Sequence, residues 1–565
     1  MKRIFVAIVV VVLFLSLLAR LILRHSKPLR ASPAPTVVYR NARIYTNDPA
    51  KPWAEALIVR GDTILGVTSN AGADNWKPSA SVSVVDLHGA FVMPGFNDAH
   101  VHLGGAGADL LRLDLNGLTA IAAVQDRVRA AAAERPVGQW IVGRGWDHTL
   151  WPEKKFPNRQ QLDAVAPAHP VLLTHVSGHV AVANSVALRL AGITKSTPNP
   201  PGGEIEHDSA GEPTGMLKEG AAMQLVARVI PPLTPAKRRM GVELALAEAA
   251  RNGVTSAQDN SSWEDFQVFR ALRDEGKLTL RITEWLPFQA PLDRLEAMRR
   301  EGGTTDPLLR TGALKMVTDG ALGSRTASML APYSDAPDTT GILIMPPEKL
   351  RELAIERDKA GFQLAFHAIG DRANRISLDV FDAVTKANGA RDRRDKIEHA
   401  QVTALEDIPR FAKLGVIASM QPAHETTDMR WAEQRIGPDR ARGAYAWASL
   451  QKSGARLAFG TDYDVEPISP FRGLYACVTR ELPSGGPPGG WQPQEKISLE
   501  DCIRAYTSGS AYAEFSEGKK GELKPGEFAD FVVLSADLTK IPPSEFTKVR
   551  VLRTVIGGRI VYESR

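Results

Sequence analysis

The chain has 565 residues, a mass of 61.3 kDa and a formal net charge of +5. With 44% hydrophobic and 24% charged residues it is not a mostly disordered, collagen-like or coiled-coil chain, and its length calls for a large central domain with further units around it. The positive excess is local: residues 1–35 hold Lys2, Arg3, Arg20, Arg24, Lys27 and Arg30 and no acid, so the remainder is near neutral and offers no footprint for nucleic acid.

Residues 4–19 form an apolar run broken only by Ser16, between a basic start and Arg20. This pattern reads as a signal anchor or signal peptide over residues 1–25. The run is near the lower length limit for spanning a bilayer, and no good small-x-small cleavage site follows it, which favours an uncleaved anchor. The expectation is membrane attachment through this segment or export, with the catalytic part outside the cytoplasm, in a bacterial periplasm or at a cell surface. Residues 26–36, rich in Ser, Pro and Ala, read as a linker.

Residues 37–93 are rich in β-formers punctuated by turns such as Gly61-Asp62 and His88-Gly89. The far end, residues 516–565, looks similar, with strands at 529–534, 551–556 and 559–562, the last two flanking Gly557-Gly558. Two β-rich ends suggest one small β-sandwich built from both termini. The middle, residues 94–515, alternates short apolar strands (171–174, 314–317, 363–366, 416–420, 457–459) with helical stretches at 237–251 and 348–360. Such alternation argues for parallel βα units and an α/β fold. Cys477 and Cys502 are too few for a disulfide framework or a four-cysteine zinc site.

Five segments of the middle carry chemistry. In Phe96-Asn97-Asp98-Ala99-His100-Val101-His102, the histidines are two apart, so a strand presents both imidazoles on one face. Lys315 is a lone lysine in the apolar stretch Ala313-Leu314-Lys315-Met316-Val317. A buried ammonium is costly, and one resolution is a carbamate formed with carbon dioxide; another is a strand end that reaches water. His367 follows Leu364-Ala365-Phe366, His399 follows Lys396-Ile397-Glu398, and Asp462 follows Phe459-Gly460-Thr461. Each alone is more often a structural residue than a ligand.

Their spacing decides between these readings. His367 and His399 are 32 residues apart, one βα unit of a barrel, and His399 and Asp462 are 63 apart, two units. Lys315, His367, His399 and Asp462 thus fall on strands 4, 5, 6 and 8, with His100 and His102 on strand 1, all at the C-terminal mouth where such barrels keep their active sites. The 215 residues from His100 to Lys315 exceed three units and predict an insertion after strand 1, at about 103–230.

The chain here resembles the amidohydrolase superfamily, in its family 3 branch of YtcJ-like proteins and N-substituted formamide deformylases. The likeness covers residues 37–565 and rests on Pro94-Gly95-Phe96 through His102, Lys315 with Asp319-Gly320-Ala321, His367 through Asp371, Glu398-His399-Ala400, Gly460-Thr461-Asp462, and 521–530. It implies a distorted TIM barrel with a β-sandwich from both ends. It also implies one or two divalent metal ions, zinc being the expected one, held by His100, His102, Lys315, His367, His399 and Asp462, with Lys315 carbamylated and bridging if two bind. Asp462 would serve as the catalytic proton acceptor in hydrolysis of an amide C–N bond in a small molecule. His179 (after His175, in Gly178-His179 before Asn184-Ser185), Asp319, Arg325 and Trp146 are the expected substrate contacts. Homodimers are common among such barrels. A cyclic amide, ester or carbamate substrate uses the same metal residues, and a non-catalytic membrane-tethered binding protein is the reading an intact ligand set argues against.

Overall fold

The computed structural model describes residues 35–76, 82–176, 178–200 and 203–564. The anchor expected over residues 1–25 and nearly all of the linker lie outside them; among the described residues no helix is long and apolar enough to cross a membrane.

Eight parallel strands succeed one another around the centre: β1 (Phe96–Val101), β2 (Val254–Asp259), β3 (Arg281–Pro287), β4 (Leu309–Val317), β5 (Leu364–Ala368), β6 (Lys396–His399), β7 (Ile417–Met420) and β8 (Leu457–Phe459). The ladder is continuous from β1 to β8. Chain just beyond β8 then closes the ring onto β1: Asp462 N donates to His100 O at 2.8 Å, His102 N donates to Tyr463 O, and Val101 and Tyr463 form a parallel bridge. Every residue of β1 and β2 is buried, as expected for strands covered on both faces. This is the α/β barrel that the spacing of the ligand-type residues requires.

Helices between the strands cover the outside. The helix expected at 237–251 is Pro235–Arg251, and that at 348–360 is Pro347–Lys359. Asp371–Asn388 turns Ala373, Leu378, Phe381 and Val384 inward, the apolar stripe of an amphipathic helix. A capping box between Ser262 and Asp265 starts Trp263–Asp274. Helix Leu103–Leu110, directly after β1, meets Pro235–Arg251 at Gly107 and Gly241; a Cβ on Gly107 would lie 2.5 Å from the Gly241 carbonyl, so only glycine permits this crossing.

Between β1 and β2 the chain builds a separate six-stranded sheet in the order Glu204–His207, Pro213–Lys218, Val180–Ala183, Val171–His175, Ile141–Trp146, Leu113–Asp114. It has its own apolar clusters, one around Trp146, Trp151, Leu162 and Val171, the other around Leu172, Leu188 and Leu217. The strand read at 171–174 among the βα alternations belongs to this sheet and not to the barrel: an apolar run looks the same in either place.

The two chain ends form the remaining sheets. Strands Arg43–Tyr45, Trp53–Ala54 and Phe91–Pro94 join Phe531–Leu534, Val551–Ile556 and Arg559–Glu563, and a second sheet combines Thr36–Arg40, Ala56–Arg60, Thr63–Thr68 and Val82–Asp86. Tyr39, Ile44, Leu57, Phe531 and Val555 fill the space between them.

This sandwich is tied to the barrel by a buried ion pair. Arg281, at the start of β3, donates to both carboxylate oxygens of Asp530 at 2.6 and 3.0 Å, and Asp530 also accepts from Gly557 N at 2.7 Å. Both side chains are nearly excluded from water, at 6% and 4% exposure. Asp530→Ala leaves the guanidinium buried without its partner; chemical denaturation should show a loss of about 3–5 kcal/mol. A variant as stable as the parent would show that the pair does not hold the two units together.

Candidate metal centre

His100 and His102 leave β1 on the same face, with their Nε2 atoms 3.3 Å apart. Asp462 Oδ1 lies 3.1 Å from His102 Nε2 and 3.5 Å from His100 Nε2. Asp98 holds these strand ends in place. It is fully buried, and its carboxylate accepts from Thr461 N (2.9 Å), Thr461 Oγ1 (2.6 Å) and His100 N (3.2 Å). Burial outweighs those hydrogen bonds and pushes the Asp98 carboxyl up to about 7.

Lys315 on β4 points its Nζ to within 3.0 Å of His100 Nε2 and lies beside the Trp285 ring. Burial pushes its amine down to about 8, against the pull of the Glu398 and Asp462 carboxylates. His367 on β5 and His399 on β6 complete the ring of imidazoles: their centroids are 4.5 Å apart, and His399 is 5.0 Å from His100. His399 (φ 74°) and Asp462 (φ 58°) both occupy the left-handed region, an arrangement costing about 1–3 kcal/mol per residue that clusters at functional sites.

Each imidazole with a partner outside the cluster is thereby oriented. His100 Nδ1 is 2.7 Å from Glu398 Oε2, and His399 Nδ1 is 2.7 Å from Gln421 Oε1, so both rings turn the opposite nitrogen to the centre, the usual arrangement behind a ligating histidine. Burial keeps His100 and His399 well below the ordinary histidine range and pushes His367 down to about 4, so all three are neutral near pH 7, as ligands must be. His102 differs: burial lowers it, but the Asp462 carboxylate outweighs burial and the net shift is upward. Burial works against the Asp462 carboxylate too, yet the His102 hydrogen bond and the surrounding imidazoles hold it well below the usual range.

His424 joins this group from helix Pro422–Asp428, directly after β7. Its Nε2 is buried, has no hydrogen-bond partner among the described residues, and lies 3.7 Å from Asp462 Oδ2. Two overlapping triads result, His100–His102–Asp462 and His399–His424–Asp462, each with its ligand atoms within 4.8 Å of one another. Buried imidazoles, an ionised shared carboxylate and an orphaned buried nitrogen fit a divalent cation, and zinc favours such N and O donors. The sequence reading missed His424 and Gln421. Their signal is in the sequence: Met420-Gln421-Pro422-Ala423-His424 continues the strand at 416–420 with polar residues.

His102, Lys315, His367, His399, His424 and Asp462 face a cavity of about 450 Å³, with Val317, Leu322, Trp431 and Val465 supplying apolar wall. None of the four expected substrate contacts lines it. Asp319 is fully buried and accepts from the backbone N–H groups of Ser328 (2.8 Å), Ile369 (3.0 Å) and Gly370 (2.8 Å), pinning a loop beside His367. Arg325 is engaged by Asp335 at 3.0 and 2.8 Å. Trp146 is buried in the inserted sheet's core, its indole donating to Leu173 O at 2.9 Å. His179 lies exposed in the same unit, paired with Glu219 at 3.0 Å. Such pairings and packing are invisible to local motif reading.

If Glu398 sets the orientation of His100, Glu398→Gln should weaken metal binding roughly 10–100-fold, measured by competition with a chelator. Unchanged affinity would leave Glu398 as a counter-charge to Lys315 and Lys396 only.

Comparison with known proteins agrees with this geometry. Residues 83–562 match the model of the amidohydrolase family. Protein LONG AFTER FAR-RED 3 of Arabidopsis thaliana is 35% identical, covering 92% of this chain and 91% of its own. Putative amidohydrolase YtcJ of Bacillus subtilis (strain 168) is 33% identical over 93% and 99%, and N-substituted formamide deformylase of Arthrobacter pascens 28% over 93% and 97%. An uncharacterized metal-dependent hydrolase from Pyrococcus furiosus superposes with a TM-score of 0.74 at 29% identity, covering 90% of this chain and 100% of its own. The chain belongs to the amidohydrolase family.

Proposed function

We propose that this protein hydrolyses the non-peptide C–N bond of a small amide, with Asp462 moving the proton. The observation that carries this reading is the convergence of imidazoles, one ionised carboxylate and one buried amine on the floor of a partly apolar cavity. His100, His102, His367, His399 and Asp462 would hold one or two divalent ions, with zinc the best match to the donors. Such an ion would supply Lewis-acid polarisation and an acidified water with a pKa of about 7.

The chain's own groups account for the remaining steps. Asp462, held ionised, accepts a proton from the attacking water and delivers it to the leaving nitrogen, so that an acid and an amine depart. The Lys315 amine, pushed down to about 8, keeps a neutral fraction near pH 7; this form adds to carbon dioxide, making a carbamate and releasing one proton. The resulting anion would add a negative charge to the donor set. Val317, Leu322, Trp431 and Val465 pack the apolar part of the substrate and exclude water.

The deformylase relative acts, by its name, on N-substituted formamides. These therefore come first in a panel with other small amides, lactones and carbamates. Asp462→Asn, assayed with excess zinc and its bound metal counted, should lose about 10²–10⁴-fold in kcat on the amide that is turned over even when loaded with metal. Full activity in that variant would remove Asp462 from proton transfer. Turnover confined to lactones or carbamates would replace the amide by the cyclic amide, ester or carbamate alternative.

We also place the protein outside the cytoplasm, joined to the membrane by its N-terminal segment or exported. Supporting this, Cys477 and Cys502 are joined as a disulfide, a bond that persists in oxidising compartments. Denatured protein isolated without reductant should contain no reactive thiol; two reactive thiols per chain would overturn the assignment.

A further inference from the structure

Away from the barrel mouth, ligand-type side chains also gather on the inserted sheet. Asp147, His148 and His175 each place one donor atom within 4.8 Å of the other two. They stand where two adjacent parallel strands end together: Ile141–Trp146 and Val171–His175 are paired, with Trp146 opposite His175. Side chains leaving such a shared edge converge, as they do at the mouth of the barrel itself.

The geometry suits an ion. Asp147 Oδ1 lies 3.7 Å from His175 Nε2. Two ligands on a tetrahedral ion with bonds of about 2.0–2.2 Å are separated by roughly 3.3–3.6 Å, so little movement is needed. Asp147 is also fixed, because Oδ1 accepts from Thr149 N (2.8 Å) and Thr149 Oγ1 (2.7 Å) at the start of the short helix His148–Leu150. Both rings are braced by packing: His175 meets Trp146 edge-on at 4.6 Å between centroids, and His148 lies against Phe156 at 4.3 Å. The Nδ1 atom of His148 is buried and has no hydrogen-bond partner among the described residues.

We propose that Asp147, His148 and His175 form a second divalent-cation site, distinct from the barrel centre, with zinc as its ion and water completing the coordination. Its place gives it a use. Gly145 and Val176, next to these residues, line a cavity of about 440 Å³ together with Asp464, Val465 and Glu466. Val465 and Glu466 line the barrel cavity as well. An ion here braces the edge of the insertion that flanks the approach to the barrel mouth, and it takes no part in the chemistry there.

The test uses the full chain, stripped with a chelator and titrated with zinc, with bound metal counted by mass spectrometry. Asp147→Asn and His148→Asn, two partly exposed positions, should each bind one zinc fewer than the parent while their metal-free melting temperatures stay equal to it. Zinc-loaded crystals measured at the zinc absorption edge should show an anomalous peak among the three side chains; this readout needs no variant. Unchanged stoichiometry in both variants, or no peak at saturating zinc, would overturn the site and leave Asp147 and His175 as an ordinary ion pair.

Discussion

The seam between the first barrel strand and the chain beyond the last one governs this molecule. Asp98 on β1 receives both the backbone and the hydroxyl of Thr461, and the His100 carbonyl receives the backbone of Asp462. These bonds join residues more than 350 positions apart and close the barrel. The same bonds put the Asp462 carboxylate against His100 and His102. Closure of the fold and assembly of the metal-binding floor are therefore one event, and loosening the seam disrupts both. The left-handed backbone at Asp462 is tolerated because neighbours on both sides of it are fixed by this seam.

Charge balance is the second constraint. Lys315 and Lys396 are buried near one another, and Glu398 is the buried carboxylate that faces both and also receives His100. Burial still disfavours both ammonium groups, against the pull of Glu398 and Asp462 on Lys315 and of Glu398 and Glu514 on Lys396. The carbamylation proposed for Lys315 would convert one of these cations into an anion beside the candidate ligand cluster. A lysine among histidines is thus an electrostatic oddity of this site that the proposed carbamate would relieve.

Much of this was legible in the sequence because barrel geometry is periodic. The intervals separating Lys315, His367, His399 and Asp462 translate directly into strand numbers, and the excess between His100 and Lys315 marks the inserted sheet. Helices at 237–251 and 348–360 and the strands at both ends follow from local pattern. What could not be read locally was partnership. Asp319 and Arg325 sit where a mouth loop should present them, yet Asp319 is consumed by three backbone N–H groups and Arg325 by Asp335. Trp146 was equally ambiguous, since a buried core indole and a pocket wall have the same sequence. His424 was missed for the opposite reason: it follows a strand that carries no ligand of its own, and only the turn after β7 brings it back over Asp462.

The division of labour in the cavity follows from where each wall originates. Its floor comes from strand ends locked by the barrel, which permits little variation without loss of the candidate metal ligands. Its sides come from the loop after β4 (Leu322), the segment after β7 (Trp431) and the segment after β8 (Val465). These lie outside the strands, where substitutions cost the barrel little and change the pocket directly. The adjoining groove, shared with Gly145 and Val176 of the inserted sheet, extends the same principle to a unit with its own core. Val465 faces both spaces, and its N–H donates to the Asp462 carbonyl at 2.7 Å. Under the proposed function, substrate choice would be set by loops and by the insertion, and the reaction by the seam beneath them.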